Sequence, residues 1–143
     1  MDTQSRSVAT FLAQIQDSKT QLQILRGHYL AAGASRARIG INLSARPYKV
    51  HGDGAATEYD GCLPMCLYVT TTDGREYELG ASLLWHQRAW RIETELRQES
   101  ADGSWDLVHD LPARTAEDLA SCLQQVQAAI ADLAGFQDRI FGR

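Results

Sequence analysis

The sequence predicts a two-layer α+β domain in which an N-terminal helix, about five antiparallel strands and a C-terminal helix follow one another, with both helices on one face of a meander sheet. Three observations predict this order. Apolar residues recur every three or four positions near both ends of the chain, they alternate with polar residues in the middle, and turn residues separate the alternating runs. Helical and strand periods that are segregated in this way are typical of α+β domains.

Length and composition indicate one globular domain. The chain has 143 residues, of which 44% are hydrophobic and 22% charged. A formal net charge of −4 argues against a nucleic-acid partner, because nucleic-acid-binding domains carry clustered basic residues. No apolar run has the length of a signal peptide or a membrane span, so we expect no membrane association. An odd number of cysteines, three, suits a reducing compartment, and we therefore expect a cytoplasmic protein.

The two predicted helices lie on either side of the sheet in sequence. The first covers residues 5–32 and ends before Gly33, because glycine favours helix C-termini. Its predicted apolar stripe consists of Val8, Phe11, Leu12, Ile15, Leu22, Leu25, Tyr29 and Leu30. The second covers residues 115–135 with Thr115 as its N-cap. Its apolar face consists of Leu119, Cys122, Leu123, Val126, Ile130 and Leu133.

The predicted sheet covers residues 38–110 and includes a long loop at 47–64. Directly paired residues of an antiparallel sheet share a face, so each turn can be tested against the alternation of its two strands. The registers that satisfy this rule pair Val69 with Tyr77, Trp85 with Trp90, and Leu96 with Leu107. The first needs a three-residue loop that ends at Gly74, and the last a four-residue loop at 100–103.

The three cysteines and His51 are the only candidate metal ligands. Cys62 and Cys66 have the spacing of a zinc knuckle and follow His51, but a structural zinc site needs a second pair of ligands. Cys122 lies among the apolar positions of the second helix, and we interpret it as a core residue. We therefore expect no metal and no cofactor, with a zinc site at Cys62 and Cys66 as the alternative.

The sequence contains no known catalytic motif. The run 52–54 lacks the third glycine of a phosphate-binding loop, and no serine lies in a nucleophile elbow. Glu93 and Glu95 share one face of a strand, as an acid–base pair of carboxylates would, but the sequence implies no apolar pocket around them. We expect no catalytic residues and a protein that is not an enzyme.

Charged residues dominate the sheet face that the helices leave open. Interleaved charge of both signs is typical of a solvated face and also of an electrostatically selective protein-binding surface. The loop adds acidic residues, which would suit a basic partner. The predicted partner-binding residues are Glu78, Arg91, Glu93, Glu95 and Arg97 on the sheet, with Asp53, Glu58 and Asp60 in the loop. In this hypothesis Glu93 and Glu95 point to water.

These patterns favour a non-enzymatic protein-binding module of a bacterial cytoplasm, of the inhibitor, immunity or adaptor type. It would act on another protein, as a monomer or a homodimer. Two alternatives stay open. One is a small acidic secretion-type chaperone, which would be a stable homodimer with an exposed apolar groove. The other is a small-ligand-binding or enzyme domain that uses residues 51–60, with Trp85 or Trp90 lining a pocket.

Overall fold

A computed structural model describes residues 2–42, 48–49, 58–86 and 89–142 of the chain. The helices are α1 (Thr3–Ala32), α2 (Leu119–Asp132) and α3 (Gln137–Phe141), with a 3₁₀ helix (Leu133–Phe136) between the last two. The strands are β1 (Arg36–Ile41), β2 (Tyr48–Lys49), β3 (Glu58–Tyr59), β4 (Gly61–Thr70), β5 (Glu76–His86), β6 (Ala89–Glu99), β7 (Trp105–Asp110) and β8 (Arg114–Ala116). Helix, antiparallel sheet and helix follow one another, which confirms the predicted α+β class.

Six of the strands form one open antiparallel sheet. β1, β4, β5, β6 and β7 lie side by side in that order, and β8 pairs with the other end of β6. The short strands β2 and β3 pair with each other as a separate ribbon. The meander is therefore interrupted once, between β1 and β4. We call the sheet face that carries the helices the inner face, and the opposite one the outer face.

Strand β4 begins at Gly61, within the predicted loop at 47–64. The strand includes Pro64, which cannot donate a ladder hydrogen bond. Its position makes it harmless: its backbone faces the end of β1, where its carbonyl accepts a hydrogen bond from the Asn42 N–H at 3.3 Å. The missing donor lies at the last rung of the β1–β4 ladder.

The core lies between the inner face and the two long helices. Buried side chains from all the central strands and both helices belong to one apolar cluster. Its fully buried members include Leu22, Tyr29, Leu67, Leu79, Leu83, Ile92, Leu96, Ile130 and Leu133. The Tyr29 hydroxyl donates a hydrogen bond to the Leu133 carbonyl at 2.6 Å, and so joins α1 to the end of α2 while satisfying a buried polar group.

The buried stripe of α1 differs from the predicted one. It consists of Gln14, Ser18, Leu22, Leu25 and Tyr29. Gln14 and Ser18 tolerate burial because they bond to each other, and Gln14 also accepts a bond from Gln127 of α2. Val8 and Leu12, placed in the stripe by the sequence, are 54% and 60% exposed, and every residue from Asp2 to Thr10 is exposed. The first turns of α1 therefore extend beyond the sheet.

Helix α2 begins later than predicted. Thr115 belongs to β8 and pairs with Arg91, so it is not a helix cap. The N-cap is Asp118, whose carboxylate accepts a hydrogen bond from the Ser121 N–H at 2.8 Å. The start of β6 offers unpaired backbone groups beyond the end of β7, and residues 114–116 take that ladder before the helix begins.

Two of the three predicted registers are confirmed and the third is wrong. Val69 pairs with Tyr77, and Trp85 pairs with Trp90. Leu107, however, pairs with Arg97 instead of Leu96, and the ladder shifts between Leu96 and Arg97. The Ser100 N–H donates to the Ser104 carbonyl at 2.8 Å, so the loop has three residues, 101–103, and not the four of 100–103.

A one-residue shift exchanges the two faces of a strand. Trp105 and Leu107, expected on the inner face, therefore lie on the outer face, where Leu107 is 49% exposed. Trp105 is half buried there, with its ring against that of Tyr68.

The tryptophan pair of the β5–β6 hairpin packs at one end of the inner face. Trp85 and Trp90 are both half buried against the core cluster, with ring centroids 6.3 Å apart. Gly61 pairs with Trp85 and makes room for its indole, because a Cβ at position 61 would lie only 1.9 Å from a ring carbon. A side chain at Gly61 and the present position of Trp85 are mutually exclusive.

We therefore expect Gly61→Ala to lower the free energy of unfolding by about 1–3 kcal/mol, the usual effect of overpacking a filled site. Urea denaturation followed by tryptophan fluorescence measures this change. The matched control is Gly135→Ala, where an added Cβ meets no atom within 4 Å, so its stability should stay the same or rise slightly. Equal stability of the two variants would contradict the packing of Trp85 over Gly61.

Candidate functional site

A row of small residues crosses the outer face. Gly40, Cys66 and Gly80 pair side by side on β1, β4 and β5, and Glu95 follows them on β6. Glycine contributes no side chain and cysteine a short one, so the outer face is hollow at Cys66 and Gly80, whereas the Tyr68 ring lies over Gly40, where a Cβ would be 3.0 Å from a ring carbon. A Cβ at Gly80 would meet the Cys66 sulfur at 3.5 Å, an ordinary contact distance.

The hollow forms a depression of about 260 Å³ on the outer face. Its side chains come from β4, β5 and β6 and from the residue after β1. The lining residues are Asn42, Pro64, Cys66, Tyr68, Glu78, Ser82, Leu84, Glu93, Glu95 and Arg97. Three glutamates and one arginine leave this lining rich in carboxylates. The sequence implied no apolar pocket at Glu93 and Glu95, and the depression that they line is mainly polar.

Two ion pairs hold the carboxylates of β6. Arg91 Nε lies 2.6 Å from Glu93 Oε1, and Arg97 Nη2 lies 2.8 Å from Glu95 Oε2. The side chains of Glu93 and Glu95 are only 12% and 24% exposed. The expectation that both point to water is therefore wrong: each lies along the concave face beside an arginine two residues away on the same strand.

Glu78 is a partly buried carboxyl of the depression. Burial raises its pKa, and the neighbouring Glu95 raises it further, while a hydrogen bond with Tyr68 and the charge of Arg97 act in the opposite direction. Burial likewise raises the pKa of the Tyr68 hydroxyl to about 12. A carboxyl with an elevated pKa beside a tyrosine in a concave site is typical of a functional position.

An aromatic and arginine cluster borders the depression. The Arg38 guanidinium lies 4.4 Å from the centre of the Tyr68 ring, in the geometry of a cation–π contact. The Trp105 ring approaches Tyr68 edge-on, with centroids 6.1 Å apart. The Trp105 carbonyl also accepts a bond from Arg97 at 3.4 Å, which links this cluster to the carboxylates.

The structure brings together five of the eight predicted partner-binding residues. Glu78, Glu93, Glu95 and Arg97 line the depression, and Arg91 binds Glu93 at its margin. The loop residues do not join them. Asp53 lies outside the described residues, as does the side chain of Glu58, whose backbone belongs to β3. Asp60 is exposed and its N–H donates to the Trp85 carbonyl, at the far end of the sheet.

Sequence reasoning missed Tyr68, Cys66 and Trp105. Tyr68 and Cys66 alternate with the core residues of β4, so their outer position could have been read from the strand pattern. Trp105 could not, because its face depends on the turn before β7. The outer face also holds a small buried cluster, Cys62 with Leu84, each 1% exposed. An alternating pattern assigns a face but not the burial of that face.

The three cysteines are free and buried. Burial raises the pKa of the Cys62 and Cys122 thiols to about 11 and that of Cys66 to about 12, so all three are protonated at neutral pH. No group of three or more histidine, cysteine, aspartate or glutamate side chains that could hold a metal ion occurs among the residues that the structure describes. His51, the candidate third ligand, lies outside them.

No helix within the described ranges is long and apolar enough to cross a membrane. The chain matches no protein-family model, no curated protein and no solved structure. The geometry of the outer face is therefore the basis for a functional proposal.

Glu78→Gln should stabilise the protein at neutral pH. The native pKa of Glu78 lies above its ordinary value of 4.5, so ionisation of this carboxyl favours the unfolded chain. Glutamine keeps a hydrogen-bond acceptor for Tyr68 without the buried charge. The melting temperature of the variant should exceed that of the wild type at pH 7.

The advantage of Glu78→Gln should shrink as the pH falls through the native pKa toward 4.5, because the wild-type carboxyl is then protonated as well. Melting temperatures between pH 4 and pH 8 measure the effect. The exposed Glu117 supplies the control, and Glu117→Gln should leave the melting temperature nearly unchanged throughout. A destabilised Glu78→Gln variant at pH 7 would mean that Arg97 and Tyr68 outweigh the burial.

Proposed function

We propose that the protein is a non-enzymatic, cytoplasmic partner-binding module, of the inhibitor, immunity or adaptor type, which binds another protein through the outer face of its sheet. The observation that carries this proposal is the juxtaposition of a carboxylate-rich depression and an aromatic and arginine cluster on one face. Three buried thiols without a disulfide suit a reducing compartment and support the cytoplasmic assignment.

The composition of the outer face supports a protein partner. Tryptophan, tyrosine and arginine dominate the side chains that contribute most to protein–protein binding energy, and here Arg38, Tyr68 and Trp105 contact one another. Leu107 adds an exposed apolar side chain on the same face. A partly apolar centre with a charged surround is the usual anatomy of such interfaces.

The depression supports a basic anchor on that partner. Its glutamates are held in place by Arg91, Arg97 and Tyr68, so a lysine or arginine of the partner meets carboxylates that are already oriented. Glu78 is protonated more readily than an exposed glutamate, and an approaching cation would lower its pKa again. Complementary charge of this kind speeds association and selects the partner.

The experiment compares capture of proteins from a lysate of the source cells by the wild type, by a Glu93→Gln/Glu95→Gln double variant and by Asp138→Asn on exposed α3. Glutamine is preferred to lysine as the substituent, because a lysine at position 93 or 95 would be half buried beside Arg91 or Arg97. We expect a basic partner that the double variant binds at least tenfold more weakly at about 0.05 M salt, and Asp138→Asn as tightly as the wild type. The difference should shrink at about 0.5 M salt.

A second variant tests the same face without changing its charge. Leu107→Ser removes an exposed apolar side chain and should weaken the captured complex while leaving the melting temperature unchanged, since Leu107 makes no core contact. Hydrogen exchange on the complex should protect β5 and β6. Protection confined to α1, with both outer-face variants binding normally, would contradict the proposal and favour a helix-mediated assembly.

A small organic cation is a second candidate ligand, favoured by the concavity of the depression and by the desolvated Glu78 within it. A thermal-shift screen of guanidinium and amine metabolites, with carboxylate metabolites as controls, distinguishes this function from protein binding. A ligand that raises the melting temperature of the wild type, but not that of Glu93→Gln/Glu95→Gln, would support the small-ligand function. A uniform lack of shift would leave the protein partner as the better proposal.

A further inference from the structure

One edge of the sheet is formed by β1, and its hydrogen-bonding groups alternate in direction. The bond from Asn42 to the Pro64 carbonyl sets the phase of the β1–β4 ladder, so that Arg38 and Gly40 bond to β4. The N–H and C=O groups of Ala37, Ile39 and Ile41 then point away from the sheet.

Little within the described ranges covers this edge. The Ala37 carbonyl accepts a hydrogen bond from Arg26 Nε at 2.6 Å, whereas the outward groups of Ile39 and Ile41 have no partner in the described part of the chain. The opposite edge is different, because the register shift after Leu96 and the break at Pro112 interrupt the line of β7 and β8. Bulges and prolines prevent strand addition, and only the β7–β8 edge carries them.

Two arginines on β1 lack the ion pairs that other arginines of the chain make. Arg36 and Arg38 are exposed on the outer side of β1, and neither has a carboxylate within 4.0 Å among the described residues. By contrast, ion pairs hold four other arginines, namely Arg75, Arg91, Arg97 and Arg114. Because Arg36 and Arg38 are two residues apart, both would lie beside alternate side chains of a strand added to this edge.

We propose that the β1 edge binds an extended, acidic segment of another protein as an added strand, with carboxylates at alternate positions beside Arg36 and Arg38. The backbone groups of Ile39 and Ile41 would supply the ladder, and the arginines the selectivity. A second copy of β1 offers no carboxylate to either arginine, because this strand contains no acidic residue. Arg38 also belongs to the aromatic and arginine cluster, but the outward backbone groups of β1 lie outside the depression, so strand addition does not depend on the function proposed above.

The test uses the full chain, labelled with ¹⁵N, and an eight-residue peptide in which glutamate alternates with valine and threonine. Amide hydrogen exchange is measured residue by residue with and without peptide. At saturation, the amides of Ile39 and Ile41 should exchange at least tenfold more slowly. The amide of Gly40 already bonds to β4 and should not change. Such a pattern, with a period of two, is specific to strand addition.

Two control peptides separate the backbone from the charge. A peptide with lysine in place of glutamate should not bind. The acidic peptide, N-methylated at alternate residues on the ladder side, should lose the protection because it cannot donate. If the N-methylated peptide protects Ile39 equally, or if millimolar acidic peptide protects neither isoleucine, the proposal is wrong and the arginines only guard the edge against self-association.

Variants of the chain complete the test. Arg36→Ser and Arg38→Ser should each weaken peptide binding about threefold to fivefold, the range for exposed ion pairs. Arg6→Ser removes an exposed arginine of α1 and should leave the affinity unchanged. Glu93→Gln/Glu95→Gln should also bind the peptide normally. If Arg6→Ser weakened peptide binding as much as Arg36→Ser or Arg38→Ser, the loss of affinity would come from net charge alone and the proposal would be wrong.

Discussion

The hydrogen-bond register of the hairpins decides whether a side chain of β4 to β7 packs against the helices or lies on the outer face. Four consecutive strands share this constraint, because the side-chain period of a strand is two and each turn transmits its register to the next strand. When Leu67, Leu79 and Leu96 align across the sheet, they form the centre of the core. The same alignment sets Tyr68, Glu78 and Arg97 side by side on the outer face. The core and the candidate site therefore depend on the same register.

Two turns of similar sequence show how far this register could be predicted. Thr-Thr-Asp-Gly-Arg at 71–75 and Ser-Ala-Asp-Gly-Ser at 100–104 both close with an N–H to C=O bond between first and last residues, and both have glycine at positive φ, 88° and 85°. The first was predicted correctly from the strand pattern. The prediction for the second, a four-residue loop, is one residue too long, because it pairs Leu96 with Leu107 to extend the apolar face. Comparison of the two turns, each with a hydroxyl residue first and Asp-Gly third and fourth, would have corrected it.

The outer face was predictable in composition but not in shape. Alternation along β6 placed Glu93, Glu95 and Arg97 on one face, and the structure keeps them there. The depression needs information from three strands at once: the row of Gly40, Cys66 and Gly80 comes together only when β1 returns beside β4. The pKa of Glu78 depends on that assembly as well. Burial of a charged group is a property of the packed sheet, which a strand pattern alone does not contain.

The first turns of α1 have a thermodynamic consequence of their own. From Thr3 to Thr10 the helix has no buried side chain, so its persistence depends on backbone propensity and on one cap, the Asp2 carboxylate that accepts from the Ser5 N–H at 2.7 Å. Serine, threonine and valine are weak helix formers, and short helices without tertiary contacts are marginal in water. This end therefore undergoes a helix–coil equilibrium of its own, in which turns unwind on warming before the domain melts. The pKa of Asp2 is lowered by the same hydrogen bond, so strong acid removes the cap and favours the unwound form of these turns.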